Sequence, residues 1–178
     1  LVLGGKLWNG DHLGFSGEIG HMIIDSKGPV CACGMNGCLE AHASGRALVK
    51  GAYENLAASL LENSRFPQPS HIDNLEPEDV YKEALRGNPA AIKLFERMGW
   101  ALGLAIGNLF TFLGIRYAII GGGVSESWDL FIEPLRRSLA DHCCMLEESS
   151  MIVKKSQLGD KAALFGAAWL ARNEMIQR

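Results

Sequence analysis

Net charge is scarce in this sequence: 17 Lys and Arg against 20 Asp and Glu leave a formal charge of −3. That balance supplies no general basic field to draw the chain to nucleic acid or to an anionic membrane, so any basic groove would have to be local. Cysteine falls short of a secreted framework. There are five, an odd number, gathered as C-x-C-x4-C from Cys31 to Cys38 with a distant pair at Cys143 and Cys144. A disulfide scaffold would spread its half-cystines along the chain, so a reducing cytoplasm is the expected compartment. No basic-then-apolar leader opens the sequence, which begins LVLGGKLWNG without an initiator Met and reads as a chain that starts in mid-domain. No G-x-x-x-x-G-K-[ST] run occurs, which gives no support to a P-loop ATPase. Internal repeats and low-complexity tracts are missing as well.

What is there is ordinary globular material: 178 residues, 48% hydrophobic and 21% charged, enough for one compact domain or half of a larger two-domain protein. The stretch from Met98 to Ile115 is uncharged over about the minimum length that spans a bilayer. Its glycines at 99, 103 and 107 have the spacing that lets helices approach closely. Asn88-Pro89 looks like an N-cap followed by a first-turn proline, Asn108 lies within the segment, and a strand-like run follows at once. A buried core helix is therefore expected, with its glycine face against a neighbouring helix.

Read coarsely, the rest alternates. Leu1 to Asn9 and Ile19 to Asp25 read as strands of an antiparallel pair, the first broken by Gly4-Gly5. Ser44 is a plausible N-cap for a helix to about Asn63, SRFPQPSHIDN is a loop, and Pro77 starts a short helix ended by Gly87. After the long helix come Ile115 to Ile120 as a strand, a helical region from Ser127 to Met145 interrupted or restarted at Pro134, a strand from Met151 to Lys155, and a last helix rich in small residues. This order describes an α/β domain with a mixed sheet and flanking helices.

Residues 17 to 45, GEIGHMIIDSKGPVCACGMNGCLEAHASG, concentrate three cysteines, two histidines and three carboxylates. Thiolate and imidazole suit Zn²⁺, whose structural sites are tetrahedral. His21, Cys31, Cys33 and Cys38 supply one imidazole and three thiolates, and Gly34 and Gly37 permit the tight turn between the last two. Three buried free thiols and an unrelated histidine are the alternative; an iron-sulfur cluster lacks its fourth cysteine nearby. Glu18 and Glu40 flank the set, either as a rigid polar ledge for a hydroxylated ligand or as solvated surface carboxylates. Asp25 reads as a solvated turn residue.

Gly121-Gly122-Gly123 follows an apolar strand. It suits close backbone approach to a nucleotide at a strand's carboxyl end, although strand-to-helix turns also use glycine for purely steric reasons. Cys143 and Cys144 are assigned to core packing, His12 and His71 to solvent, and His142 to the negative end of its helix. His42, close behind Glu40, keeps a minor ligand role open.

GEIGH followed by C-x-C-G-x-x-G-C-L-E-x-x-x-S-G resembles the signature of the ROK family of bacterial glucokinases and other sugar kinases, N-acetylmannosamine kinases and sugar-responsive repressors. AIIGGGVS is similar to that family's nucleotide-side glycine turn, and GDKAALFGAAWLA to its C-terminal helix. The resemblance implies a ribonuclease H-like, actin-like ATPase fold, with residues 1–178 forming the larger C-terminal lobe and the N-terminal lobe lying outside this chain. It implies structural Zn²⁺ on His21, Cys31, Cys33 and Cys38; a hexose or N-acyl amino sugar on Glu18, His21 and Glu40; ATP with Mg²⁺ at Gly121, Gly122 and Gly123; and a homodimer built through this lobe.

The family's D-x-G-x-T phosphate loop, its Asn-Asp pair carrying the catalytic base and its Gly-Thr-Gly turn are not in these 178 residues, so the chain alone is expected not to turn over. Two functions follow from this resemblance, beside the alternative of a zinc-stabilised interaction module with no ligand. One is a glucokinase-like transfer of phosphoryl from ATP to a sugar hydroxyl. The other is the sugar sensor of a repressor, the only case in which nucleic acid would be a partner.

Overall fold

A computed structural model describes residues 2–3, 6–11, 16–59 and 75–176. The expected loop after residue 63, the tail of the preceding helix, His12 and His71 all lie outside the described residues.

β1 (Val2–Leu3) and β2 (Lys6–Leu7) form a short antiparallel hairpin with Val2 opposite Leu7 and Leu3 opposite Lys6. The run expected as one strand from Leu1 to Asn9 is thus two short strands paired with each other, and the glycine pair lies outside the described residues. Ile19 to Asp25 is not a strand either. Ile19–His21 makes one turn of 3₁₀ helix, and pairing is limited to an isolated bridge between Ile23 and Cys38. The reason is visible in the hydrogen bonds: Ile24 and Asp25 both donate to the Gly37 carbonyl, so this backbone is committed to closing a loop.

α1 (Gly45–Ser59) starts where Ser44 Oγ accepts from the Ala47 N–H at 3.1 Å, the expected N-cap. α2 (Pro77–Leu85) begins with proline in its first turn, and the Glu76 N–H donates to Asp79 Oδ2 at 3.0 Å. α3 (Pro89–Leu113) is opened by Asn88, whose side-chain oxygen accepts from Ala90 and Ala91, and closed by Gly114 at φ +64°. No helix among the described residues is long and apolar enough to cross a membrane.

β3 (Tyr117–Ile120), α4 (Trp128–His142) and β4 (Ile152–Lys155) form a parallel strand–helix–strand unit, with Tyr117 opposite Ile152 and Ile120 opposite Lys155. α4 is continuous through Pro134, which corrects the expected break. The proline's ring carbon lies 2.7 Å from where a Cβ on Gly99 would stand, so it fills the notch which that glycine leaves in α3. At Gly103 a Cβ would collide with the Leu135 carbonyl. The α3 glycines therefore set the distance of approach to α4, as their spacing indicates. α5 (Ala162–Ile176) is the last element among the described residues. Among the described residues the sheet is two separate strand pairs and not one mixed sheet.

The core gathers Leu48, Val80, Phe95, Met98, Phe110, Phe131 and Leu135 from the first four helices. A smaller cluster joins Leu39, in the cysteine loop, to Ala101 and Ala105 of α3. It seats that loop on the longest rigid element of the fold.

Candidate metal centre and carboxylate ledge

The loop from Glu18 to Glu40 folds back on itself twice. Its outer rung pairs residues 22–24 with 37–39: Leu39 donates to the Met22 carbonyl and Ile24 to that of Gly37, both at 2.9 Å. Its inner rung is a small hairpin in which Val30 bridges Asn36 and Cys31 donates to the Met35 carbonyl at 2.8 Å. Gly34 and Gly37 have φ of +89° and +73°, the left-handed region where glycine is favoured. At Gly37 a Cβ would also run into the Asp25 carbonyl. Glycine there is a steric necessity of the fold-back.

The double fold brings His21, Cys31, Cys33 and Cys38 together, with their ligand atoms all within 4.8 Å of one another. Cys33 and Cys38 sulfurs stand 3.6 Å apart, and Cys31 Sγ lies 3.8 Å from His21 Nδ1. With metal–sulfur bonds of about 2.3 Å, the edge of a regular tetrahedron between two sulfurs is about 3.8 Å, so the donor set has the size of a zinc shell. All five cysteines are free thiols. Burial among neighbouring thiols pushes the Cys38 thiol up to about 12, whereas the Met35 backbone N–H beside Cys33 holds that thiol below its ordinary value. A cation bound here would have to displace protons held tightly by the buried sulfur.

His21 has Nδ1 beside Cys31 Sγ and Nε2 3.9 Å from Glu18 Oε2. Glu40 sits on a 3₁₀ turn, Leu39–Ala41, directly after Cys38. Its side chain reaches Gly20, since a Cβ placed there would be 3.6 Å from Glu40 Oε2. Glu18 and Glu40 therefore border the turn that carries His21. Gly121, Gly122 and Gly123 lie elsewhere, at the carboxyl end of β3. Gly122 has φ +83°, and neither it nor Gly123 would meet any atom within 4 Å if given a Cβ. Backbone is thus laid bare beside open space at the end of a parallel strand pair. Gly121 instead packs on Ser156.

Four residues of this region carried no signal of their interaction in the sequence. Asp25 is not a free turn carboxylate: its Oδ2 accepts from Arg97 Nη2 of α3 at 2.6 Å, and this guanidinium holds the Asp25 carboxyl below its usual range. His42 is not beside the metal set. It is buried, and its Nδ1 accepts from Arg97 Nε at 3.2 Å. Burial, with the Arg97 charge second, lowers the His42 pKa. Arg97 in turn lies 4.0 Å over the Trp100 ring. Cys143 is buried as expected, but Cys144 is exposed and belongs to no core. His142 does sit in the last turn of α4, with Nδ1 2.7 Å from the Ser138 carbonyl.

Comparison with known proteins adds independent findings. The ROK family model matches residues 1–174. A putative xylose repressor from a Caldicellulosiruptor species is 31% identical over 179 residues, covering 99% of this chain and 43% of that protein. A glucokinase from Streptomyces coelicolor is 31% identical over 182 residues, covering 97% of this chain and 55% of its own length. Among solved structures, a ROK family glucokinase from Streptomyces griseus in complex with glucose and AMPPNP superposes with a TM-score of 0.72 at 34% identity, over 96% of this chain and 55% of that one. The chain thus spans about half the length of the curated relatives it matches.

Proposed function

The chain belongs to the ROK family, and from that premise we propose that it is the sugar- and zinc-binding C-terminal lobe of an ATP-dependent hexose kinase. The observation that carries the proposal is the orientation of His21. Nδ1 lies 3.8 Å from Cys31 Sγ, so a metal held through Nδ1 leaves Nε2 as the nitrogen that donates, and it stands 3.9 Å from the Glu18 carboxylate. That gap is too long for a hydrogen bond, and it suits one sugar hydroxyl lying about 2.8 Å from each group, accepting from Nε2–H and donating to Oε2. Glu40, across Gly20, accepts from a further hydroxyl.

Zn²⁺ on His21, Cys31, Cys33 and Cys38 supplies folding energy, with no part in the transfer itself. The turn Gly121, Gly122 and Gly123, open to space at its last two residues, receives ATP, with Mg²⁺ bound to the nucleotide. The phosphate loop and the base that deprotonates the sugar hydroxyl belong to the remaining half of the relatives' length. Two features support an N-terminal lobe covering this one: the relatives are about twice as long, and Ile119 of β3 with Leu164, Phe165 and Trp169 of α5 lie exposed. The protein works in the reducing cytoplasm and dimerises through this lobe.

The equally similar xylose repressor favours a second reading, in which the same ledge senses a sugar and another domain binds DNA. Calorimetry with glucose and N-acetylmannosamine on the full-length polypeptide and on its Glu18→Gln and Glu40→Gln variants tests the ledge. Binding weakened about tenfold or more by each change is expected. A coupled phosphorylation assay then separates kinase from sensor, and absence of any sugar binding would contradict both.

A further inference from the structure

Glu40 stands in the middle of a short rigid segment. The Leu39–Ala41 turn is held by bonds from Ala41 to the Cys38 carbonyl at 3.0 Å, and from His42 and Ala43 to the Leu39 carbonyl at 2.9 and 2.8 Å. Cys38, at one end, is a metal-set residue. His42, at the other, is gripped from outside the loop by a residue of α3. The Arg97 guanidinium donates Nε–H to His42 Nδ1, donates Nη2–H to Asp25 Oδ2, and has its central carbon 4.0 Å from the centroid of the Trp100 ring. Asp25 has its other oxygen, Oδ1, on the Lys27 N–H at 3.1 Å, so its carboxylate ties the turn that leads into the cysteines to α3. His42 packs beneath that turn, since a Cβ on Gly28 would lie 2.7 Å from Nε2. The ring nitrogen Nε2 is buried and has no hydrogen-bond partner among the described residues. An unpaired buried N–H is destabilising, so an apolar side chain would serve plain packing better. What the imidazole supplies that an apolar residue cannot is an acceptor for Arg97.

We infer that Arg97 is a positioning residue: it clasps Asp25, in the turn ahead of Cys31, and His42, just behind Cys38, and thereby fixes the Glu40 carboxylate on the ledge, independently of the metal. The clasp itself rests on contacts within the chain; its consequence for ligand affinity rests on the sugar-binding reading above. A fork-shaped donor is required, because two N–H groups reach separate acceptors while the cation sits over an indole. Lysine, with a compact ammonium, can satisfy only one of them.

The test uses the zinc-loaded full-length polypeptide with Arg97→Gln, Arg97→Lys, His42→Leu and His42→Asn, and Arg136→Gln as control, since among the described residues Arg136 pairs with exposed Glu133 of its own helix α4. Asparagine can present an acceptor where His42 Nδ1 stands; leucine cannot. Hydrogen exchange at the Ala41, His42 and Ala43 amides is read beside metal content, sugar KM and kcat. The expected result is about tenfold faster exchange in Arg97→Gln and His42→Leu. Recovery in His42→Asn, a smaller acceleration in Arg97→Lys and one metal per chain throughout are also expected. KM for the sugar should rise about tenfold with little change in kcat, the mark of lost uniform binding. Unchanged exchange in Arg97→Gln overturns the clasp whatever the kinetics show. Loss of metal together with protection also overturns it, because the residue would then act by building the metal site. Faster exchange in a protein that binds no sugar even as wild type upholds the clasp and sinks the sugar-binding reading alone.

Discussion

Replacing Gly37 by alanine puts the loop's geometry to a quantitative test. Gly37 has φ +73°, its carbonyl accepts from Ile24 at 2.9 Å and its N–H donates to the Pro29 carbonyl at 2.9 Å. The left-handed conformation costs an L-residue about 1–2 kcal/mol. The new Cβ also collides with the Asp25 carbonyl, so the backbone must move and both hydrogen bonds weaken, at about 1 kcal/mol each. The expected loss is about 3–4 kcal/mol, which is two to three orders of magnitude in metal affinity at about 1.4 kcal/mol per decade. Gly34 is the control. Its φ is +89°, but a Cβ there would meet nothing within 4 Å, so Gly34→Ala carries only the conformational penalty and loses about tenfold. Competition with a chromophoric chelator measures both affinities. Equal losses in the two variants would refute the steric argument, since only Gly37 faces a wall.

Other consequences can be checked in parallel. Gly103→Ala should lower the urea midpoint, with a destabilisation of about 1–3 kcal/mol, because its Cβ would press on the Leu135 carbonyl at the α3–α4 crossing; an unchanged midpoint would mean that the helices separate freely. Phe95→Ala, at a fully buried core site, should cost about 3–5 kcal/mol in the same titration. Because the His42 pKa is lowered in the folded chain, the unfolded chain takes up the proton first. The stability contribution is therefore complete above the ordinary value of 6.5 and is lost as pH falls from there toward the folded value. Denaturation midpoints of wild type and His42→Asn across this window should converge at acid pH, and parallel curves would argue against it. The 178-residue chain by itself should show no ATP-dependent phosphorylation of glucose in a coupled assay, in contrast to the full-length polypeptide.

Most of the helical frame was legible in the sequence because its signals are local. Ser44, Asn88 and Pro77 mark helix starts through bonds or ring geometry within three residues, and the glycines of α3 announce close packing by their spacing. The donor set was legible for the same reason, since Cys31, Cys33 and Cys38 are close neighbours with glycines between them. Legibility failed where backbone partners are distant or where tertiary packing overrides propensity. Ile19 to Asp25 has strand composition, but its amides close onto Gly37. Pro134 reads as a helix break, but the notch at Gly99 accepts its ring. The Asp25–Arg97–His42 network was illegible, because Arg97 is separated from its partners by 72 and 55 residues and nothing in an amphipathic helix announces which of its charges will stack on a tryptophan.

A metal ion joining His21 to three sulfurs is the central claim, and X-ray absorption spectroscopy of freshly purified, untagged protein reads that shell directly. One zinc per chain with three sulfurs at about 2.3 Å and one nitrogen at about 2.0 Å is the predicted result; metal-free protein, or a shell of oxygen ligands alone, would contradict it.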